Sequence, residues 1–167
     1  MPGLKTFLRD RFAGAKRVAV LGIGSDLRAD DAAGILVAAE LDKRPKKRAG
    51  RAKLKIFFGE TAPENLTGVI KEFGPTHLVI IDAIEMKQKP GTIIVLTPDK
   101  IGAGVSFSTH KMPAEVLASY LSSSINCDIV IIGIQPKSIM FGIMPSKSVK
   151  DSAKEVAAAI IHAIPAR

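Results

Sequence analysis

Short runs of consecutive apolar residues alternate along the chain with longer segments in which apolar residues recur every three or four positions. The short runs are typical of buried β-strands and the longer segments of amphipathic helices. Strands are predicted at residues 17–22, 54–58, 77–81, 92–96 and 129–134, and helices at 4–12, 31–43, 63–73, 113–121 and 148–164. This alternation predicts an α/β fold, a three-layer α/β/α sandwich around a mixed, mostly parallel five-stranded sheet.

Two connections refine the topology. Lys89-Pro90-Gly91 is too short for a crossover helix, so the third and fourth strands should run antiparallel or lie apart in the sheet. The irregular segment 97–112 is long for a compact domain, and such loops usually carry function. With 167 residues, of which 47% are apolar, residues 1–167 are expected to form one domain.

Composition narrows the functional classes. No apolar run reaches the roughly 18 to 20 residues of a membrane span, and the N-terminus lacks the apolar core of a signal peptide. We therefore expect no membrane insertion and a cytoplasmic location. Cys127 is the only cysteine, which excludes a disulfide framework, and it is expected to be a buried small residue and no nucleophile.

The formal net charge of +8 raises the possibility of a nucleic-acid partner. Much of the excess lies in the basic stretch 43–53, which could bind phosphates or an acidic protein surface. Nucleic-acid modules usually interleave basic residues with exposed aromatics, and this stretch has none. A solvated loop and no nucleic-acid partner are expected, with a basic adaptor kept as an alternative.

The most informative segment is 21–34, where the first predicted strand runs into a glycine turn with three acids. Such a turn is where open α/β sheets bind ligands. Gly22 and Gly24 also begin a dinucleotide-binding fingerprint, but Leu27 occupies the position of its third glycine. The acids would repel a pyrophosphate from the helix N-terminus. Carboxylates at this place favour a cation or hydrolytic chemistry.

Four segments together carry a family resemblance. They are Gly22–Gly34 with the pattern GIGxxLRxDDxxG, residues 60–65 (ETAPEN), residues 81–83 (IDA) and residues 108–112 (STHKM). In this order and spacing the chain resembles the hydrogenase maturation endopeptidases. The ETAPEN form is most similar to the branch that serves hydrogenase 3 of the formate-hydrogenlyase type.

The resemblance implies an endopeptidase that removes the C-terminal extension of a nickel-iron hydrogenase large-subunit precursor after nickel insertion. It implies that the nickel is carried by this substrate and that the enzyme holds no tightly bound metal of its own. By the same resemblance Asp31, Asp82 and His110 contact the metal, and Asp31 and Asp82 are catalytic. The implied partner is the nickel-loaded precursor.

The residues support this grouping independently. Asp31 follows the first strand, Asp82 closes the third, and His110 lies on the long loop. First and third strands are commonly neighbours at the switch point of an open sheet, so their carboxyl ends open into one crevice. Two carboxylates and an imidazole suit nickel or zinc. As alternatives, Asp31 could favour the first turn of its helix, with Asp30 the better candidate for capping, and His110 could be a loop histidine without a partner.

Further candidates surround the crevice. Arg28, Glu60 and Thr61 are predicted to bind substrate, although an ion pair between Arg28 and its neighbouring acids is the favoured reading for that side chain. Glu85 could add a carboxylate or face solvent. Two positions depart from the family pattern, because Ser25 stands where many members have Asn and Glu60 where many have Gly.

One further function class stays open. The same sandwich could serve as a non-catalytic metal- or nucleotide-binding regulatory domain, which would bind a ligand without turnover. The remaining histidines, His77 before a strand and His162 in the last helix, are expected to be structural or exposed.

Overall fold

The computed structural model describes residues 3–43, 52–97 and 114–165. The strands are β1 Arg17–Ile23, β2 Lys53–Glu60, β3 His77–Ala83, β4 Ile93–Leu96 and β5 Asp128–Ile134. The helices are α1 Leu4–Arg11, α2 Ala33–Asp42, α3 Thr67–Phe73, α4 Ala114–Ser124 and α5 Lys147–Ala163, with 3-10 turns at Ala29–Ala32 and Pro63–Leu66. The five predicted strands are confirmed to within two residues at each end. The helices predicted at 31–43 and 63–73 each begin as a 3-10 turn.

The described strands form one sheet in the order β2-β1-β3-β5-β4. All neighbours run parallel except β4, which pairs antiparallel with β5 at the edge. The short 89–91 connection precedes β4, and β5 lies between β3 and β4 in the sheet. The third and fourth strands therefore lie apart, which is one of the two arrangements predicted from this short connection. β1 and β3 are neighbours, with Gly22 opposite Ile81.

Helices cover both faces of the sheet. On β3, Val79 and Ile81 join the core under α1, α2 and α5. Leu78 and Ile80 join the second core, under α3 and α4. The strand therefore reads as a continuous apolar run because both of its faces are buried. The predicted α/β/α sandwich with a mixed, mostly parallel sheet is confirmed.

Several predictions fall on parts of the chain outside the described residues. These are most of the basic stretch, residues 44–51, and nearly all of the long segment, residues 98–112, including His110. In the part of the chain that the structure describes, no helix combines the length and apolarity needed to cross a membrane.

Close contact between α2 and two strand backbones fixes the centre of the fold. A Cβ added to Gly34 would lie 2.2 Å from the Ile81 oxygen and 2.3 Å from the Ile23 oxygen. One on Gly22 would lie 2.3 Å from the Gly34 oxygen. Real Cβ atoms do not approach backbone so closely, so only glycines allow the first turn of α2 to rest on the β1–β3 seam.

Gly34→Ala should therefore unfold or severely destabilise the protein. The added methyl meets fixed backbone atoms of two central strands, and overpacking of this kind costs about 3 kcal/mol or more, against about 1 kcal/mol gained in helix propensity. Chemical denaturation measures the change.

The matched control is Gly68→Ala, since nothing lies within 4 Å of a Cβ on this residue of α3. The free energy of unfolding of this variant should equal that of the unmodified protein or exceed it by up to about 1 kcal/mol. Equal stabilities of the two variants would contradict the close-packing argument.

Candidate active site

Asp31 lies in the 3-10 turn that connects β1 to α2. Gly24, just beyond β1, has φ +143° and its Cα faces the Asp31 carbonyl, since a Cβ there would lie 2.0 Å from that oxygen. The Gly24 N–H donates to the Glu60 carbonyl at 2.9 Å, which ties the turn to the end of β2. The Asp31 residue is 1% exposed. Its position is thus set by a backbone contact that a side chain at position 24 would block.

Asp82 lies at the carboxyl end of β3, opposite Gly133 of β5. Alternation along the strand places its side chain on the face covered by α3 and α4. The residue is fully buried, at 0% exposure. Charged groups are retained inside proteins mainly where a partner or a function compensates their desolvation, so this carboxylate is a strong functional candidate.

The two acids belong to one edge of the sheet. Gly34, one turn after Asp31, contacts the Ile81 carbonyl, and Ile81 immediately precedes Asp82. The expected meeting of the carboxyl ends of β1 and β3 is therefore observed. The third predicted residue, His110, lies outside the described residues. Among the described residues, no group of three or more His, Cys, Asp or Glu side chains is arranged to hold a metal ion.

Asp30 holds the loop after β5 in place. Its Oδ2 accepts from the Lys137 N–H at 2.7 Å and from the Ser146 hydroxyl at 2.9 Å, and its Oδ1 accepts from the Ser146 N–H at 2.6 Å. The alternative that Asp30 caps its own helix is not observed, since the N-cap positions of the 3-10 turn and of α2 are Arg28 and Ala32 and neither has a side-chain cap. Its carboxylate is engaged by a segment more than 100 residues away in sequence, which local patterns do not reveal.

Arg28 does not form the favoured ion pair with its neighbouring acids in the described structure. Its Nε donates to the Ile139 carbonyl at 3.3 Å, while the Asp30 carboxylate accepts from backbone N–H groups of the loop after β5. Arg28 is half-buried, while Glu60 and Thr61 are exposed at the end of β2. A substrate role for these three residues stays a prediction.

Backbone strain concentrates around this turn. Ala29 and Glu60 have φ angles of 45° and 47°, in the left-handed region that non-glycine residues seldom adopt. A glycine at position 60 would adopt the φ angle of Glu60 without penalty. Strained residues of this kind cluster at functional sites.

Gln135, immediately after β5, was not anticipated from the sequence. Its Oε1 accepts from the Met86 N–H at 2.7 Å and the Gln88 N–H at 3.2 Å, and its Nε2 donates to Glu85 at 3.1 Å. Glu85 is exposed. Its carboxylate accepts hydrogen bonds from the Lys87 N–H and from Gln135, and both bonds lower the pKa of Glu85. Glu85 therefore belongs to a surface loop, and Gln135 orders that loop. The position of Gln135 at the carboxyl end of a predicted strand is the sequence feature that could have indicated a role for it.

The other titratable candidates are structural. Burial raises the pKa of the Cys127 thiol to about 12, which suppresses the thiolate that a nucleophile needs. His77 lies at the opposite end of β3, in edge contact with Phe12, and burial lowers its pKa. His162 is exposed on α5. The expectations for His77 and His162 are confirmed, whereas Cys127 is only partly buried and not fully buried as expected.

Known proteins share both the sequence pattern and the fold. Residues 35–163 match the model of the hydrogenase maturation protease family. The hydrogenase 3 maturation protease of Escherichia coli is 33% identical over 137 residues, which cover 82% of this chain and 84% of that protein. The crystal structure of the nickel-iron hydrogenase maturation protease HycI from Thermococcus kodakarensis superposes with a TM-score of 0.82 at 35% identity, covering 95% of this chain and 98% of that one. The solution structure of the endopeptidase HycI from Escherichia coli gives 0.71 at 32% identity, covering 85% and 87%.

The fold and these relatives together identify a hydrolase built on an α/β sandwich, with Asp31 and Asp82 as its candidate carboxylates. The chain belongs to the hydrogenase maturation protease family. It is an endopeptidase of hydrogenase maturation.

Replacing Asp30 by Ala should destabilise the protein by about 3 kcal/mol, because buried donors lose a charged acceptor. Amide hydrogen exchange at Lys137 and Ser146 should speed up by more than the global loss of stability explains. The control is Asp26→Ala, an exposed acid of the same turn, which should leave both measurements unchanged. Similar stabilities for the two variants would show that Asp30 is dispensable.

Proposed function

We propose that this endopeptidase removes the C-terminal extension of a nickel-iron hydrogenase large-subunit precursor after nickel insertion. The observation that carries the proposal is the pair Asp31 and Asp82, both at most 1% exposed and both at the carboxyl edge of adjacent strands. Membership of the family supplies the reaction class, and the names of its relatives point to the hydrogenase 3 type.

The chemistry needs one activated water. Water adds to the carbonyl carbon of the scissile bond, the C–N bond breaks, and the amine of the released extension takes up a proton. The carboxyl oxygens of Asp31 and Asp82 are suited to orient the water and to receive its proton as general base. Their burial excludes bulk solvent, which strengthens the interaction of each carboxylate with the water and the peptide.

Nickel enters as part of the substrate, bound to its thiolates. Borderline divalent ions accept imidazole and carboxylate beside sulfur, so the proposed set of Asp31, Asp82 and His110 has the chemistry to recognise a loaded site. Three such ligands form an incomplete shell, which agrees with an enzyme that holds no tightly bound metal of its own. The enzyme would then recognise the bound nickel and cleave only precursor that contains it.

Asp82→Asn and His110→Ala are each expected to lower processing by at least about a thousandfold, since each removes an ionisable group from the reaction centre. The assay follows the mass of nickel-loaded precursor during incubation. Asn is isosteric with Asp, and thermal unfolding should show that both variants fold.

Asp26→Asn, on the exposed part of the same turn, is the matched control and should process at the rate of the unmodified enzyme. Full activity of either the Asp82 or the His110 variant would disprove the three-residue site.

Processing should also depend on nickel in the precursor. Precursor prepared with and without nickel is incubated with excess enzyme, and an independent probe establishes that both forms are folded. Cleavage is expected only of the loaded form, because the proposed enzyme ligands would complete the coordination shell of nickel and so hold the adjacent peptide bond in place. Equal rates would show that the carboxylates act on the tail as a metal-free acid and base pair.

A further inference from the structure

Five large apolar side chains are exposed beside the Asp31 turn. Leu27 is 59% exposed, and on the loop after β5 the exposures are 64% for Met140, 72% for Phe141, 47% for Ile143 and 75% for Met144. We call these five residues the apolar loop surface. Groups of neighbouring exposed apolar side chains are uncommon on free proteins and usually mark a site of interaction.

This surface is fastened to the candidate active site. The Gly142 N–H donates to the Leu27 carbonyl at 2.9 Å, and the Asp30 N–H donates to the Ser138 carbonyl at 3.0 Å. The same loop contacts two more groups of the turn. The Asp30 carboxylate accepts from the Ser146 N–H, and the Arg28 guanidinium donates to the Ile139 carbonyl. The loop is thus joined to residues on the N-terminal side of Asp31 at several points.

We infer that the apolar loop surface docks the large-subunit precursor, through an apolar segment next to the peptide bond that is cut. The inference rests on the proposed function. Leu27 and the bonded loop adjoin the turn that carries Asp31. A substrate segment next to the bond that is cut can therefore lie across this surface.

The charge around the surface specifies the segment further. Two cations, the half-buried Arg28 and the exposed Lys137, lie on the same turn and loop as one exposed acid, Asp26. Cations at the rim of an apolar interface favour acidic residues on the partner and increase the association rate. The expected partner segment is apolar with acidic flanks.

Phe141 and Met144 should contribute most of the binding, because they are the two most exposed members and large side chains dominate interfaces. The double variant Phe141→Ser/Met144→Ser is compared with Val69→Ser/Tyr120→Ser. The control pair is 41% and 49% exposed and lies on α3 and α4, which contribute none of the five residues of the apolar loop surface. Circular dichroism and thermal unfolding verify that both double variants fold.

Steady-state cleavage of nickel-loaded, full-length precursor then separates binding from chemistry. The loop variant should raise KM at least about tenfold, which corresponds to about 1.4 kcal/mol, while kcat changes less than about twofold. The control variant should match the unmodified enzyme in both constants.

The outcomes separate the two hypotheses. If the unmodified enzyme fails to cut the precursor, the proposed function fails. If it cuts and the loop variant keeps its KM, the function stands and the docking inference is overturned. Sedimentation of the free enzyme tests a second copy as occupant, since a dimer that the loop substitutions dissociate without raising KM would also overturn the inference.

Discussion

The contact between Gly34 and the backbones of β1 and β3 is the constraint on which the functional end of the molecule depends. Because no side chain stands between them, the first turn of α2 rests directly on the seam of the sheet. The preceding 3-10 turn is thereby held over the carboxyl ends of these strands, and Asp31 is placed at the edge where Asp82 ends β3. A helix packed at the usual distance would carry Asp31 away from this edge.

Asp30 and Asp31 show how adjacent residues of one type can serve different purposes. In a 3-10 turn, successive side chains are rotated by about 120°, so two neighbours cannot face the same partner. The carboxylate of Asp30 binds backbone N–H groups of the loop after β5. It fixes that loop, with its exposed apolar side chains, against the turn that carries Asp31. Structural support and candidate chemistry are thus separated by one residue.

A comparable arrangement exists further along the same edge. Gln135 follows β5, and its amide binds both the 86–88 backbone and Glu85. Buried amides that use both their oxygen and their nitrogen order loops at little cost, because few of their polar atoms lack a partner. The loops at the carboxyl edge are therefore fixed by polar side chains, while the apolar strands below supply the stability.

The sequence by itself determined the alternation of elements and the placement of acids after the first strand and at the end of the third. These features depend on local periodicity and on the apolar runs that both faces of a parallel sheet require. The four sequence motifs also indicated the protein family. Only the tertiary structure decided that Asp30 binds the distant loop, that Arg28 turns to the Ile139 carbonyl, and that Gln135 orders the 85–88 segment. These contacts join residues 47 to 116 positions apart. A hydrogen bond of that range depends on the packing of the whole sheet and leaves no local pattern in the chain.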